Sequence, residues 1–360
     1  MPEKTGRKMG DTIIESMALW LGIPLEKIEK DIMHQRGIAL LKKRLDIDSR
    51  SILERQARKL VQIILNSAPT QAHYILTGIL KKILLVKCSI GKTGCRDVRD
   101  WDVIKLYQEL KSNLNAPGIE WAGGKKGVVC ITHDVDFIEG YDFVEELVEL
   151  EKEYSIRSTY NFLVKGRYRC ERGLFQYLVD NGFEVGLHGY THDIALSYRS
   201  PSIIKRDIEK ALSEMDFRVM GFRTPALSIS KNLLTVLKEL NFKYDSSLAS
   251  TSSYWQGVEI CFPFRYPGLE IWEVPLCLQD STMFRDHSLN DEDALQLVKN
   301  MIDGIIDVGG VAAINLHPCI LKKRMNFYQK LLSYIKDQHK IWITPVIGLI
   351  EFLERRIDEG

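Results

Sequence analysis

No stretch of the 360-residue chain approaches the ~18 uninterrupted apolar residues that a membrane-spanning helix needs. The opening MPEKTGRKMGDTIIESMALWLG also lacks a clean apolar segment followed by a small-residue cleavage site. Export and membrane anchoring are therefore not expected, and the cytoplasm is the expected compartment. The seven cysteines form no CxxC pair and are odd in number, which disfavours a disulfide framework or a structural zinc knuckle. Most sit in apolar runs such as VVCIT and IWEVPLCL, where Cys behaves as a small core residue. Neither internal repeats nor low-complexity tracts occur. SIGKTGC at 89–95 lacks the first glycine of a phosphate loop, Val86 standing in its place. Net charge is only +1, too little for a whole-chain nucleic-acid binder.

What is present is globular composition: 45% hydrophobic and 27% charged residues exclude a disordered chain. Charge is unevenly spread. Residues 1–126 carry 23 Lys and Arg against 14 acids, and the remainder 26 against 34. The basic part is expected to complement the acidic part of its own chain or of a second copy, which makes a homo-oligomer one expectation.

Residues 11–110 read as helical. DTIIESMALWLGIPLEKIEKDI has apolar residues at helical spacing, punctuated by Gly22-Ile23-Pro24. Ser51 to Glu54 is a capping box opening a helix with Leu53, Ala57, Leu60, Val61, Ile64 and Leu65 on one stripe. TQAHYILTGILKKILLV continues the pattern, and the basic run at 42–44 fits a solvated helix face. NLNAPGIEWAGGKK is rich in Gly, Pro and Asn. A helical N-terminal domain of unassigned role (1–115), a linker (116–126) and a second unit (127–360) are expected.

From 127 onward short apolar runs alternate with helical stretches. Strands are expected at 127–132, 158–164, 184–187, 218–222, 243–247, 270–278, 311–316 and 341–344, with helical patterns between several of them. Such alternation implies parallel βαβ units. Seven or eight of them close more naturally into a barrel than an open sheet, and barrel chemistry sits at the C-terminal strand ends.

The first strand ends in THDVD. Period-two alternation points Asp134 and Asp136 one way and His133 and Val135 the other. Paired carboxylates repel unless a cation or donor satisfies them. The third strand ends in LHGYTHD, placing His188 and His192 four apart, on one face if the segment turns helically. Two His and one Asp make a three-ligand set with room for water, the pattern of catalytic rather than structural zinc. The same set also suits a non-haem iron oxygenase, although the second aspartate and a late histidine argue against that. GFRTPA puts Arg223 at another strand end, where it could hold a carboxylate by a two-pronged hydrogen bond, with Pro225 stiffening the loop. INLHP places His317 at the end of a late strand, suited to a general acid.

Taken together, THDVD, HGYTH, RTPA and LHP make residues 127–355 resemble the polysaccharide deacetylase superfamily (NodB homology, carbohydrate esterase family 4), with motifs in the same order. The resemblance implies an α/β fold, a distorted (β/α)7-type barrel, behind the helical N-terminal domain. It implies Asp134 as general base, Asp136, His188 and His192 as ligands of one divalent metal ion, Arg223 orienting Asp134, and His317 protonating the leaving amine. Zn2+ is the expected metal, with Co2+, Mn2+ or Ni2+ as alternatives. The family's adjacent aspartates are here split by Val135, as in a subgroup that includes intracellular deacetylases and C–N hydrolases. Its Asp-Trp motif has no match, which leaves Asp245 and Asp280 as two candidates for supporting His317. The implied activity is hydrolysis of an N-acyl group, N-acetyl in the first instance, on an amino sugar or glycan intermediate. The alternative is an amidohydrolase or deformylase acting on a non-glycan C–N bond of a small amide. A degenerate binding module is a further reading. Tyr160, Tyr190, Trp255, Trp272 and Phe284 are candidates for stacking on a sugar ring.

Overall fold

In the computed structural model, all nine residues of β1 (Gly127–Val135) are buried. A strand covered on both faces is the mark of a parallel sheet wrapped by helices, and the first five residues of GVVCITHDV are accordingly apolar. The structure describes residues 9–24, 40, 59, 62 and 97–359, without 166, 252–256 and 267. The capping box at 51–54, the basic run at 42–44, the apolar segment at 71–87 and the 89–95 segment lie outside the described residues.

Before β1 come α1 (Met9–Leu21) and α2 (Asp102–Asn113). After it follow α3 (Ile138–Tyr141), α4 (Val144–Glu153), β2 (Thr159–Phe162), α5 (Arg172–Asp180), β3 (Glu184–Leu187), α6 (Pro201–Met215) and β4 (Gly221–Phe222). The chain continues through α7 (Lys231–Glu239), β5 (Tyr244–Asp245), β6 (Phe264–Arg265), β7 (Trp272–Glu273), β8 (Leu276–Gln279) and α8 (Asp291–Val308). It ends with β9 (Val311–Leu316), α9 (Pro318–Leu321), α10 (Met325–Lys336), β10 (Ile341–Ile343) and α11 (Val346–Glu359).

Hydrogen bonding orders the sheet β6-β7-β5-β4-β3-β2-β1-β9-β8, parallel except for the β6–β7 pair. The length of β1 lets one edge carry β10 at Gly127–Val129 and β2 at Thr132–Val135, while the other edge carries β9. The ends of the sheet meet. Leu276 donates its N–H to the Leu248 carbonyl at 2.8 Å, and Ser250 returns one to Leu276 at 2.8 Å. β1 to β5, the β7–β8 run and β9 thus form seven staves: the alternating pattern predicts a barrel, and the resemblance implies its distorted (β/α)7 type. The antiparallel β6, two residues long, and the helix α6, with Pro201 in its first turn, were not among the elements expected. α8 follows the usual end chemistry: the Asn290 side chain accepts from the Glu292 and Asp293 N–H groups, and Gly309 closes it at φ 84°.

The ends of the N-terminal part rest on this barrel. Trp20 of α1 stacks on Phe262 with centroids 5.1 Å apart and donates Nε1–H to the Pro263 carbonyl at 2.8 Å. Tyr107 of α2 meets the same ring at 4.8 Å. Within the expected linker, Trp121 is buried and donates to the Gly309 carbonyl at 2.8 Å. Among the described residues, no helix is long and apolar enough to cross a membrane.

Candidate active site

The alternation of β1 sorts its last residues. His133 faces outward into a buried network: Nε2 lies 2.8 Å from Glu151 Oε1, and Tyr160 and Tyr328 donate to the same oxygen. Asp134 faces inward. Its Oδ1 accepts from Asn161 Nδ2 at 3.0 Å and its Oδ2 from Asn315 Nδ2 at 2.7 Å. Strand register brings these groups together, since Asn161 of β2 pairs with Asp134 itself and Asn315 of β9 pairs with Thr132, two residues earlier on the same face. Gly186 pairs with Asn161 from the other side, and a Cβ there would lie 2.3 Å from Asn161 Oδ1. The missing side chain makes room for the amide that holds Asp134.

Asp136 lies just past the strand. His188 Nε2 and His192 Nε2 approach its Oδ1 to 3.2 and 3.5 Å. Nδ1 of His188 is 2.8 Å from the Arg223 carbonyl, so this nitrogen carries the proton and Nε2 presents a lone pair when the ring is neutral. A lone pair then faces a carboxylate oxygen, an arrangement that a cation held between them would satisfy. Asp136 Oδ1 and His192 Nδ1 are buried without a hydrogen-bond partner. Burial, only partly offset by Asp136 and reinforced by the Arg167 charge, pushes His192 down to about 4, so its imidazole is neutral near pH 7. The ligand atoms of Asp136, His188 and His192 all lie within 4.8 Å of one another. This donor set, one hard oxygen and two imidazole nitrogens in a buried corner, fits a divalent metal ion.

The two histidines do not share a helix face as the spacing suggested. Residues 188–193 form an irregular loop in which Gly189 adopts φ 96° and the rings meet edge to face at 5.4 Å; a Cβ added at Gly189 would lie 3.6 Å from the Pro225 ring. Only glycine takes that backbone angle without strain. Pro225 lies beside the loop that carries both imidazoles.

Arg223 is fully buried, yet its expected two-pronged bond to Asp134 is not formed. Nη1 stops 3.7 Å from Asp134 Oδ1, while Nη2 donates to Ser246 Oγ at 2.9 Å and Thr132 Oγ1 at 3.3 Å. The short asparagine side chains reach Asp134 first. Burial would raise the Asp134 carboxyl, but the charges of His188, Arg223 and His317 outweigh it and hold it below the ordinary carboxylate value.

His317 Nε2 lies 3.9 Å from Asp136 Oδ2. Asp280, not Asp245, stands behind it. Asp245 instead accepts from the Ser247 hydroxyl at 2.8 Å and sits beside Glu273, where burial raises both carboxyls. Burial would also lower the His317 imidazole, but Asp280, then Asp136 and Asp134, overcome it and raise it to about 9.

Of the aromatic residues singled out for stacking, Tyr160, Tyr190 and Trp272 are buried, because ring and hydroxyl or cation partners draw them into the core. Trp255 lies outside the described residues. Phe284 lines a cavity of about 980 Å³ whose wall includes Phe137, the residue after Asp136, and Cys319, two residues beyond His317. Asn161 and Asn315 were not anticipated. Asn315 is an isolated polar residue in the apolar strand VAAINL, two before His317 on the same face, whereas Asn161 stands among Thr159 and Tyr160 and carries no such signal.

Comparison with known proteins places the barrel. Residues 122–244 match the family model for polysaccharide deacetylase. A peptidoglycan deacetylase-like protein, FGM2, of Gibberella zeae is 30% identical over 89 residues, 24% of this chain. The chain spans only 26% of that relative's length. Among solved structures, a Mycobacterium smegmatis protein assigned as a polysaccharide deacetylase superposes with a TM-score of 0.57 at 18% identity, covering 66% of this chain and 94% of that one. One from Pseudomonas aeruginosa PAO1, assigned likewise, gives 0.54 at 16% identity, covering 68% and 97%. These two likenesses establish the fold.

Proposed function

We propose that this chain, a member of the polysaccharide deacetylase superfamily through its barrel, is a metal-dependent hydrolase that removes an N-acyl group, N-acetyl in the first instance, from an amino sugar or glycan intermediate. One observation carries the reading: the ligand atoms of Asp136, His188 and His192 converge within 4.8 Å of one another, and the Asp134 carboxylate and the His317 imidazole lie beside them.

A divalent cation held by Asp136, His188 and His192, Zn2+ or else Co2+, Mn2+ or Ni2+, would supply Lewis acidity to the amide carbonyl and lower the pKa of water from 15.7 towards ~7. Asp134 is the base. Its carboxylate is ionised at neutral pH and fixed by Asn161 and Asn315, so it accepts the proton of the attacking water without reorienting. Arg223 contributes charge to that site at 3.7 Å and leaves the hydrogen bonding to the amides. His317 carries a proton through neutral pH and delivers it from Nε2 to the departing nitrogen, an otherwise poor leaving group. Asp280 keeps the ring aimed from behind. The five described cysteines are free thiols, which fits a reducing, cytoplasmic site of action.

The same residues would hydrolyse a formamide or another small amide, and the cavity wall favours keeping that second reading, because among the described candidate stacking rings only Phe284 lines it. Metal-stripped protein reconstituted with zinc, cobalt or manganese should release acetate from at least one member of a panel of N-acetylated amino sugars, nucleotide sugars and simple amides. Formate release from N-formyl analogues would select the second reading. Full metal uptake with no acyl release from any of them would overturn both and leave a binding module.

A further inference from the structure

The wall of the 980 Å³ cavity beside the triad carries Arg167, Arg285, Lys322, Lys323 and Arg324 against a single carboxylate, Glu139. Its volume suits a monosaccharide with a substituent. Two of the arginines are braced by local ion pairs, Arg324 with Asp291 and Arg285 with Asp286 at 2.9 Å. Among the described residues, Lys322 and Lys323 have no carboxylate within salt-bridge distance, and both are exposed. Arg167 ties the cavity to the chemistry: its Nη1 donates to the Asp136 carbonyl at 3.1 Å and its guanidinium lies 4.3 Å from the centroid of the Phe137 ring. A neutral glycan has no group to meet so many cations, and one carboxylate could engage only a part of them. A phosphate, with up to two negative charges and three acceptor oxygens, matches forked guanidinium and ammonium donors arranged around one hollow.

We propose that this cavity binds the phosphate or diphosphate of a phosphorylated N-acyl amino sugar, so that the substrate is a charged biosynthetic sugar derivative rather than a finished neutral polymer. The inference rests on the deacylase reading and adds its substrate class. Arg167, Lys322 and Lys323 are the specificity residues, and the apolar floor of Phe137, Phe284 and Ile320 takes whatever the phosphate is esterified to.

The test is calorimetric titration of zinc-loaded Asp134→Asn protein, which should bind without turning over. The probes are N-acetylglucosamine, N-acetylglucosamine 1-phosphate, a uridine-diphosphate-linked N-acetylglucosamine, N-acetylmuramic acid and the neutral chitin tetrasaccharide. The two phosphorylated probes should bind at least about tenfold tighter than the other three, with affinity that falls as salt rises. Tighter binding of the nucleotide sugar than of the 1-phosphate would assign a nucleoside carrier, and equal binding would assign the phosphate alone; both support the proposal. Adding Lys322→Glu and Lys323→Glu, exposed positions whose exchange leaves the core untouched, should abolish the preference while a circular dichroism spectrum stays unchanged. Equal affinity for the tetrasaccharide or the muramic acid, or an unaffected double variant, would overturn it. Acetate release from the tetrasaccharide as fast as from the two phosphorylated sugars would sink this inference and leave the deacylase standing. Tight phosphate-dependent binding with no acyl release by the unsubstituted zinc enzyme would sink the deacylase instead.

Discussion

The Asp280 carboxylate grips His317 at two points, one oxygen meeting ring Nδ1 at 2.6 Å and the other accepting the backbone N–H at 2.6 Å. Ring tautomer, ring direction and strand end are fixed by one side chain. Since burial alone would lower the imidazole and Asp280 is the first of the charges that raise it to about 9, the imidazolium is present below that pH and lost above it. Asp280→Asn removes the charge. The alkaline limb of kcat should move to lower pH by about 1–3 units, with kcat at its optimum reduced. An alkaline limb that stays in place would remove His317 from the role of acid.

Asp134→Asn separates base from metal. The substitution replaces a carboxylate that accepts two amide N–H groups with a group that must turn one of its own donors towards them. Turnover should fall by ~10²–10⁴, the usual contribution of a general base, at an added cost of about 1 kcal/mol in stability. Metal content measured by mass spectrometry should match that of the unsubstituted protein. Full activity with intact metal would exclude Asp134 as the base.

Removing a ligand should do the reverse. His188→Ala and His192→Ala each leave two of three donors, and zinc content after dialysis should drop to a small fraction. Because a metal that binds only the folded chain raises its stability, a chelator should lower the Tm of the unsubstituted protein and leave both variants unmoved. A chelator effect of equal size in all three would put the metal elsewhere.

The support for Asp134 can be tested through its neighbour's neighbour. In Gly186→Ala the new methyl must displace Asn161 Oδ1, from which it would otherwise be 2.3 Å distant. A stability loss of about 1–3 kcal/mol is expected from the forced shift. Activity should fall with Asn161 pushed off Asp134, and Asn161→Ala added to Gly186→Ala should cost little more. Additive losses would mean that the two residues act separately.

How far the site could be read from sequence depends on what each feature needs. Period-two alternation needs no tertiary information, so Asp134 and Asp136 could be assigned to one face and His133 to the other from THDVD alone. Asn161 and Asn315 acquire meaning only through register, which no single strand encodes. The choice between Asp245 and Asp280 needed the closure of the barrel between Leu248 and Leu276. Spacing of four between His188 and His192 suggests a helical turn, but the left-handed backbone of Gly189 between them breaks it. The RTPA motif brings Arg223 beside Asp134, but the two-pronged bond gives way to a 3.7 Å approach because Asn161 and Asn315 occupy the carboxylate, and neither is marked in the motif. For Tyr160, Tyr190 and Trp272 the sequence leaves both core packing and sugar stacking open, and their buried partners decide for the core.

Glu184, deep in the barrel and away from the triad, gives the structure a pH signature of its own. Its oxygens accept from Tyr244 at 2.7 Å, Thr159 at 2.7 Å and the Ile347 N–H at 2.9 Å. Burial outweighs these bonds and raises the carboxyl to about 7. An unfolded chain releases that proton near ~4.3, so between the two values the folded chain binds the extra proton. Stability attributable to this group is therefore full at the acidic side of the window and declines as pH rises towards 7, by up to about 3 kcal/mol. Glu184→Gln keeps the shape, and its amide can donate to Tyr244 Oη while its carbonyl accepts from Thr159 and Ile347. Denaturant unfolding followed from pH 5 to pH 8 should show a decline in the unsubstituted protein that is reduced in the variant, with the variant the more stable of the two at pH 8. Parallel curves would mean that Glu184 is ionised throughout the window and that its three donors outweigh its burial.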